Sequence, residues 1–406
     1  MNRSDADEIA EWLAEAGLLG VRDEASLARA FCDRCVAAGL PLGRVFVMID
    51  TLHPLHESRA FFWSDDPADR FREEEFTSTG EGAAAWASSP FFHLIQRRET
   101  FMRCRIEAGE TRGYSAAEEL RAAGQTDYVA IVYRIRHAVR VEDVDGFYAR
   151  WTTARPGGFT DEEIGHLKRL TPLLGLAIRS ASQARLARTL VEAYLGRDAG
   201  RRVLEGSIKR GAVQKINAVL WFSDMTGYTR LSETVDSDEL IPLLNDYAEV
   251  VISSIQSVGG DVLKLIGDGV LAIFAGGRPH DRGAAAMAAE RIMRDRLTDL
   301  AMRRKRGGQP VANIHLGLHV GDVFYGNIGS VDRLDFTVVG QSVNEVSRIA
   351  SMCSSVDRDN LLSSDFVALL PDEERAQLVS VGRFALRGIG RARELFTRDP
   401  EDAWQP

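Results

Sequence analysis

Apolar and polar positions alternate in three different ways along the chain. Over residues 1–186 short helical and strand-like patterns interleave. Ser4 with Asp7 fits a helix start, after which Ile9, Trp12, Leu13 and Ala16 share a face, and a second amphipathic stretch covers about 25–38. Segments 44–51, 59–63, 128–136 and 147–153 are rich in β-branched and aromatic residues and predict strands. Helices beside a mostly antiparallel sheet make this an α+β domain.

Between 160 and 205 the pattern becomes continuously helical. Leu170, Leu174, Ala177, Ala181 and Ala184 recur at alternating four- and three-residue steps and form one seam. Two readings stay open: the seam of a parallel two-helix dimer, or a helix packing on its own domain. Gly196, Gly200, Gly206 and Gly211 then punctuate the chain, which divides it into a domain at 1–186, a helical linker at 187–211 and a second domain at 212–400.

The third regime is sharper. A strand is predicted at 217–223, and a helix at 238–258 has Leu240, Leu244, Tyr247, Val251, Ile255 and Val258 on one side. Strands at 262–266 and 270–274 flank the tight turn Gly267-Asp268-Gly269. A helix at 281–302, strands at 313–320 and 336–339 and a helix from 342 follow, giving an α+β sandwich with helices on one face of the sheet.

Composition narrows the function. With 406 residues, 45% hydrophobic, the chain can build two or three cores. A net charge of −9 argues against nucleic acid as a partner, while a small phosphorylated ligand held through metals is compatible. No run approaches the roughly 18 apolar residues of a membrane span, and the start lacks the apolar core of a signal peptide, so no membrane and a cytoplasmic location are expected. Four cysteines are too few for a disulfide framework, in keeping with a reducing compartment.

Two acids stand at chemically useful places. Asp224 ends a strand in Phe222-Ser223-Asp224-Met225-Thr226-Gly227-Tyr228-Thr229, and Asp268 sits in the hairpin turn. Strand ends and tight turns can bring two carboxylates to shared ions, and hard Mg²⁺ or Mn²⁺ needs such oxygen ligands; either acid alone would read as a surface turn residue. The Met225-to-Thr229 turn into a helix also offers backbone amides to phosphates.

Over about 213–395 the chain resembles the class III nucleotide cyclases. The motifs carrying the resemblance occur in the family's order: the Phe222-to-Thr229 segment, Gly259-Gly260-Asp261-Val262-Leu263-Lys264-Leu265-Ile266-Gly267-Asp268, Gly317-Leu318-His319-Val320-Gly321-Asp322, Gly326-Asn327-Ile328-Gly329-Ser330 and Asp335-Phe336-Thr337-Val338-Val339-Gly340-Gln341-Ser342-Val343-Asn344-Glu345-Val346-Ser347-Arg348. The resemblance implies a ferredoxin-like catalytic domain in which Asp224 and Asp268 hold two Mg²⁺ or Mn²⁺ ions. It implies that Arg348 meets the charge on the α-phosphoryl group, that Asn344 orients the ribose, and that Phe222, Thr226, Gly227, Tyr228 and, more loosely, Arg387 bind substrate. Base choice falls to Lys264 and Thr337. A lysine donates to adenine N1, which accepts, and the Thr337 hydroxyl, where many members have Asp, accepts from the 6-amino group.

The activity implied is closure of ATP to 3′,5′-cyclic AMP and pyrophosphate, with guanylate cyclase or a silent nucleotide-binding dimerisation module as alternatives. It comes with a homodimer whose two sites are shared between protomers. Gln341 and Glu345 depart from the family pattern. The first domain is similar in element order to GAF and PAS sensors, and its aromatic residues Phe61, Phe62, Trp63, Phe91, Phe92 and Tyr128 read either as core or as a pocket for an unknown small molecule that regulates the second domain.

Other signals have plainer readings. Cys32 and Cys35 with His53 and His56 are core cysteines and loop histidines before they are a zinc site. The run Arg303-Arg304-Lys305-Arg306 reads as a solvated loop, and His319 as a core histidine. Gly259-Gly260-Asp261-Val262 is similar to the diguanylate cyclase signature but precedes its strand instead of forming a turn.

Overall fold

The computed structural model describes residues 1–20, 23–50, 58–76, 86, 89–134, 146–330 and 332–398. The chain forms two compact units, Met1–Thr189 and Leu190–Pro406. Among the described residues no helix is long and apolar enough to cross a membrane.

The first unit opens with helices α1 (Arg3–Leu19) and α2 (Glu24–Ala37). The cap of α1 lies two residues earlier than Ser4-Asp7: Asn2 accepts from the Asp5 amide and the Asp5 carboxylate accepts from the Asn2 amide, closing a capping box. Strands β1 (Arg44–Asp50), β2 (Ser58–Ser64), β3 (Phe71–Phe76), β4 (Phe101–Cys104), β5 (Asp127–Arg134) and β6 (Gly146–Thr153) build an antiparallel sheet in the order β3-β2-β1-β6-β5-β4. Helices α3 (Pro90–Arg97) and α4 (Ser115–Ala122) lie between strands, and α5 (Asp161–Leu195) follows the last one.

One face of this sheet packs on α1, α2 and α5 through Phe31, Trp151, Leu167 and Leu170. Leu170, Leu174, Ala177 and Ala181 of the proposed seam are buried in that core, so the helix packs on its own domain; Ala184 is exposed. Cys32 and Cys35 are buried in the same core with thiols pushed well above their ordinary range by burial, whereas His53 and His56 lie outside the described residues. Phe61 and Trp63 point into this helical face, while Phe62 and Tyr128 belong to the opposite one with Phe91.

The second unit contains α6 (Arg197–Leu204), β7 (Val213–Met225), α7 (Tyr228–Thr234), α8 (Ser237–Ser257), β8 (Asp261–Ile266), β9 (Gly269–Phe274), α9 (Pro279–Arg306), β10 (Ile314–Gly329), β11 (Leu334–Val339), α10 (Gln341–Val356), β12 (Asn360–Ser363), α11 (Ser364–Val367), α12 (Asp372–Arg375), β13 (Leu378–Phe384) and β14 (Arg393–Arg398). Its sheet runs β13-β14-β12-β10-β7-β9-β8, with β11 on the far half of β10. β7 and β10 pair antiparallel from Ile314 opposite Met225 to Gly326 opposite Val213.

Period-two alternation sends Val219, Trp221 and Met225 of β7 toward α8 and α9, and Ala218, Leu220 and Phe222 to the other face. That second face is covered too, by Val346 of α10 and Ala199 of α6, which corrects the expectation of helices on one side only. A Cβ at Gly317 would stand 2.6 Å from the Val346 carbonyl oxygen and 2.7 Å from the Ala350 amide, so only glycine lets α10 settle onto β10. On α8, Leu243 is buried in place of Leu240. The basic run is no loop: it is the last turn of α9, and Arg304 is 1% exposed, donating to the Pro310 carbonyl and the Asp246 carboxylate. His319 is the expected core histidine, 2.8 Å from the Ser363 hydroxyl.

Asp127 is the polar knot of the first unit. It is 1% exposed, accepts from Arg103 at 2.7 Å and from the amides of Tyr128 and Phe159 at 2.9 Å each, and so ties β4 and β5 to the segment entering α5. Replacing Asp127 with Ala leaves Arg103 only the exposed Asp161, 3.6 Å away, as a charge partner and removes the acceptor of two amides, and should cost about 3 kcal/mol in denaturant unfolding. Asn, which keeps an acceptor, should cost less.

Candidate active site

The site begins where β7 ends. Asp224 lies on the same face of the strand as Phe222, and the chain leaves the sheet at Thr226, whose amide donates to the Asn313 carbonyl at 2.8 Å. Gly227 and Tyr228 then turn into the short helix α7. Across the sheet, Ile266 pairs with Gly269, which leaves Gly267 and Asp268 as a two-residue turn, and Gly267 takes the left-handed conformation (φ +63°) that such a turn needs. The Asp268 carboxylate accepts from the Met225 amide at 3.0 Å, which clips the hairpin tip to the end of β7 beside Asp224.

Electrostatics register that closeness. Partial burial, and then the charge of Asp268, push the Asp224 carboxyl up to about 6. His315 Nδ1 is 3.9 Å from Asp224, but burial pushes its own pKa down, so it brings no positive charge at neutral pH. Among the described residues neither acid has a Lys or Arg partner. Two carboxylates that repel one another, beside a cleft of about 190 Å³ lined by Ser223, Met225, Leu244, Tyr247 and Leu265, fit a hard divalent cation. Among the described residues no group of three or more His, Cys, Asp or Glu is placed to hold a metal ion.

The remaining predicted residues gather elsewhere. Lys264 pairs with Leu271, itself opposite Phe222, so it lies two strands, on the order of 10 Å, from β7. Its ammonium bonds the Asp335 carboxylate on β11. Thr337, two residues on and therefore on the same face as Asp335, is 7% exposed and pairs with Gly326. Asp335, quoted in the motif but given no role by sequence reasoning, is the partner the structure gives Lys264; its signal was the two-residue spacing from Thr337. Asn344 is exposed on the first turns of α10, and Arg348, one turn on, is half-buried with its guanidinium near Gly388 and no ion-pair partner among the described residues. Arg387 is exposed and equally unpaired. No hydrogen bond or ion pair among the described residues joins Lys264, Thr337, Asn344 or Arg348 to Asp224 or Asp268.

Glu345 explains one departure from the family pattern. It is 2% exposed, ion-paired to Arg393 of β14 at 2.5 Å, and 3.7 Å from His319. A buried charged pair replaces an apolar contact at the base of α10.

Residues 212–397 match the adenylate and guanylate cyclase catalytic domain. The C-terminal unit is similar to that catalytic domain over most of its length. Domains of this family act on nucleotides, generally depend on divalent metal and generally work as dimers. The chain is 30% identical over 172 residues to an adenylate cyclase of Anabaena cylindrica, covering 42% of this chain and 34% of that protein. It is 28% identical over 231 residues to an uncharacterized protein of Mycobacterium tuberculosis, covering 57% of this chain and 41% of that one. The chain thus spans well under half the length of these curated relatives. Solved structures similar to it include the adenylyl cyclase CyaB from P. aeruginosa (26% identity, TM-score 0.41, 45% of this chain and 94% of that one) and the guanylyl cyclase Cya2 (23% identity, TM-score 0.41, 47% and 97%).

A carboxyl raised in the folded state is a destabilising group once ionised: the folded chain holds its proton more tightly than the unfolded one, so stability falls as pH rises from about 4 to 6 and is flat beyond. With the chain free of metal, Asp224→Asn should therefore be more stable than the wild type at pH 8, by about 1–3 kcal/mol, and equal to it near pH 4. Thermal melts in a chelator at the two pH values check this, and added Mn²⁺ should stabilise the wild type only.

Proposed function

We propose that the chain is an adenylate cyclase that converts ATP to 3′,5′-cyclic AMP and works as a homodimer. The observation that carries the reading is the division of the site residues. Acids suited to metal lie at one place, and a lysine, a threonine, an asparagine and an unpaired arginine lie at another, with no hydrogen bond or ion pair among the described residues of one chain joining them. A second copy would supply the missing half of each site. Exposed apolar residues on the elements that hold the second group support such a contact: Leu265 and Ile266 on β8, Phe324 on β10, and Leu334 and Val339 on β11 are 38–56% exposed.

In this reading Asp224 and Asp268 bind Mg²⁺ or Mn²⁺, which supplies Lewis-acid activation of the ribose 3′-hydroxyl and neutralises phosphate charge. The new bond runs from the 3′-oxygen to the α-phosphorus, the bond from the α-phosphorus to the bridging oxygen breaks, pyrophosphate leaves, and the hydroxyl proton passes to solvent. Arg348 of the partner subunit, free of any competing carboxylate, places its planar fork on the α-phosphoryl oxygens, where charge builds. Asn344 holds the ribose so that attack is in line. Phe222 and the turn Thr226-Gly227-Tyr228 border the triphosphate, and Arg387, exposed and unpaired, reaches the terminal phosphate.

Lys264 and Thr337 read adenine: the ammonium donates to N1 and the hydroxyl accepts from the 6-amino group, while Asp335 aims the ammonium. That same carboxylate favours a second reading, a guanylate cyclase, since it could accept from guanine N1–H while Lys264 donates to O6. Asp335→Asn separates the two: ATP turnover should persist within about tenfold, whereas a GTP enzyme should lose about a hundredfold. The first unit is proposed to be a GAF- or PAS-like sensor that regulates the second, supported by its antiparallel sheet with α1, α2 and α5 on one face and an aromatic-rich layer under α3 and α4 on the other.

Purified protein with Mg²⁺ or Mn²⁺ should form cyclic AMP from ATP, identified by mass. Asp224→Ala and Arg348→Ala should each fall at least about a hundredfold. Mixed, they should regain up to a quarter of wild-type activity, because a mixed dimer carries one intact site; folded mixed dimers without activity would refute the shared site. A protein that binds nucleotide but makes no cyclic product with either metal would be the silent module instead.

A further inference from the structure

The face of the N-terminal sheet turned away from α1, α2 and α5 contains a cation with no ion-pair partner among the described residues. Arg150 lies on β6 opposite Phe46 of β1 and Ala130 of β5, in the middle of the sheet. Its Nε is sealed from solvent and has no hydrogen-bond partner, and no ion pair to it exists among the described residues. Burial pulls its pKa below the ordinary arginine range. The charged groups facing it are Glu119, too far away to pair, and two further guanidiniums, Arg44 and Arg72. The Phe46 ring, 5.4 Å from the guanidinium carbon, is the neighbour that compensates it in part.

A second orphan lies beside it. Tyr128 of β5 pairs with Thr152, two residues from Arg150, so the two side chains are diagonal neighbours on one face. Tyr128 is 1% exposed, yet its hydroxyl has no partner among the described residues. Folding rarely leaves two adjacent buried donors unmet unless something else meets them. Around them, in the layer between the sheet and α3 and α4, the lining is aromatic: Phe91 of α3 stacks on Phe46 at 5.7 Å with 25° between planes, and Phe62 meets Phe46 edge-on at 5.1 Å. Ala130 opposite Arg150 keeps the middle of the face low. The other polar group nearby is spoken for, since the Tyr148 hydroxyl donates to Asp50 at 3.0 Å.

We propose that this face binds a small organic anion with a flat apolar body, its carboxylate or phosphate accepting from Arg150 and Tyr128 and its ring lying along Phe46 and Phe91. The anion supplies the charge and the acceptors the protein withholds, and the rings supply apolar surface. The proposal is independent of the cyclase reading, because every residue in it belongs to the first unit.

The test uses the full chain and three probes: benzoate and indole-3-acetate for the carboxylate source, phenyl phosphate for the phosphate source. At least one should give a saturable rise in Tm and a saturable change in tryptophan fluorescence, and which arm responds identifies the anion. Arg150→Met should abolish the response, and Tyr128→Phe should weaken binding about tenfold, the loss of one hydrogen bond to a charged group. Ligand-free, both variants should melt no lower than the wild type, because each removes an uncompensated buried polar group; should Arg150→Met fold poorly, Arg150→Lys, which keeps the charge without the fork, should bind more weakly instead. A lack of saturable response to all three probes overturns the proposal. So does undiminished binding by Arg150→Met and Tyr128→Phe, or a lowered Tm in both, which would make these groups structural.

Discussion

Two carboxylates are held together against their own repulsion, and much of the second unit serves that placement. Asp224 cannot retreat, because β7 is locked from Met225 to Val213 against β10 and from Ser223 to Val219 against β9. Asp268 cannot retreat either, because its turn closes the β8–β9 hairpin and its carboxylate is spent on the Met225 amide. The cost appears as the raised pKa of Asp224. A protein tolerates such a conflict at the end of a well-packed sheet, where Val219 and Trp221 anchor the same strand a few residues away.

Much of this was legible in the sequence because the chemistry sits on punctuation. Glycines at 267 and 227 announce turns, and an acid next to a turn at a strand end has few structural reasons to be there. Strand and helix order in the second unit followed from periodicity, although β10 runs on to Gly329 because its far half gains a new partner in β11, and no local signal marks that exchange. Tertiary partners were the illegible part. Arg304 looks like one of four solvated cations, yet its position on α9 turns it inward to Asp246 and Pro310. Asp335 looks like a surface acid until β11 is brought over β8 and Lys264 finds it. The seam at Leu170 to Ala181 satisfied two packing schemes equally, and only the presence of a sheet for those side chains to cover decides between them.

The first unit shows the converse limit. Its helical face could be anticipated from apolar spacing, and its other face could not, since aromatics fill a core and a pocket alike. What distinguishes them is polar accounting: Thr152 and Asp127 are fully matched within the protein, while Arg150 and Tyr128 on the same strand pair are not. That difference is invisible to composition and to periodicity, because it depends on which side chains fail to meet.

The helix α10 joins these arguments. Its buried side is fixed twice, by the glycine at 317 that admits its backbone onto β10 and by the Glu345–Arg393 pair that ties it to β14. A buried ion pair is a poor source of net stability, since desolvation offsets much of the attraction, but it permits few alternative registers. Register is what α10 needs. Asn344 precedes Glu345 by one residue and Arg348 follows it by three, so a rotation of the helix that kept apolar burial intact would still swing both polar groups off their common face. An apolar residue at 345 would tolerate that rotation; the charged one, with Arg393 and His319 on either side, does not. The charged residue at this position therefore reads as a second lock on the orientation of Asn344 and Arg348 on the exposed side of α10.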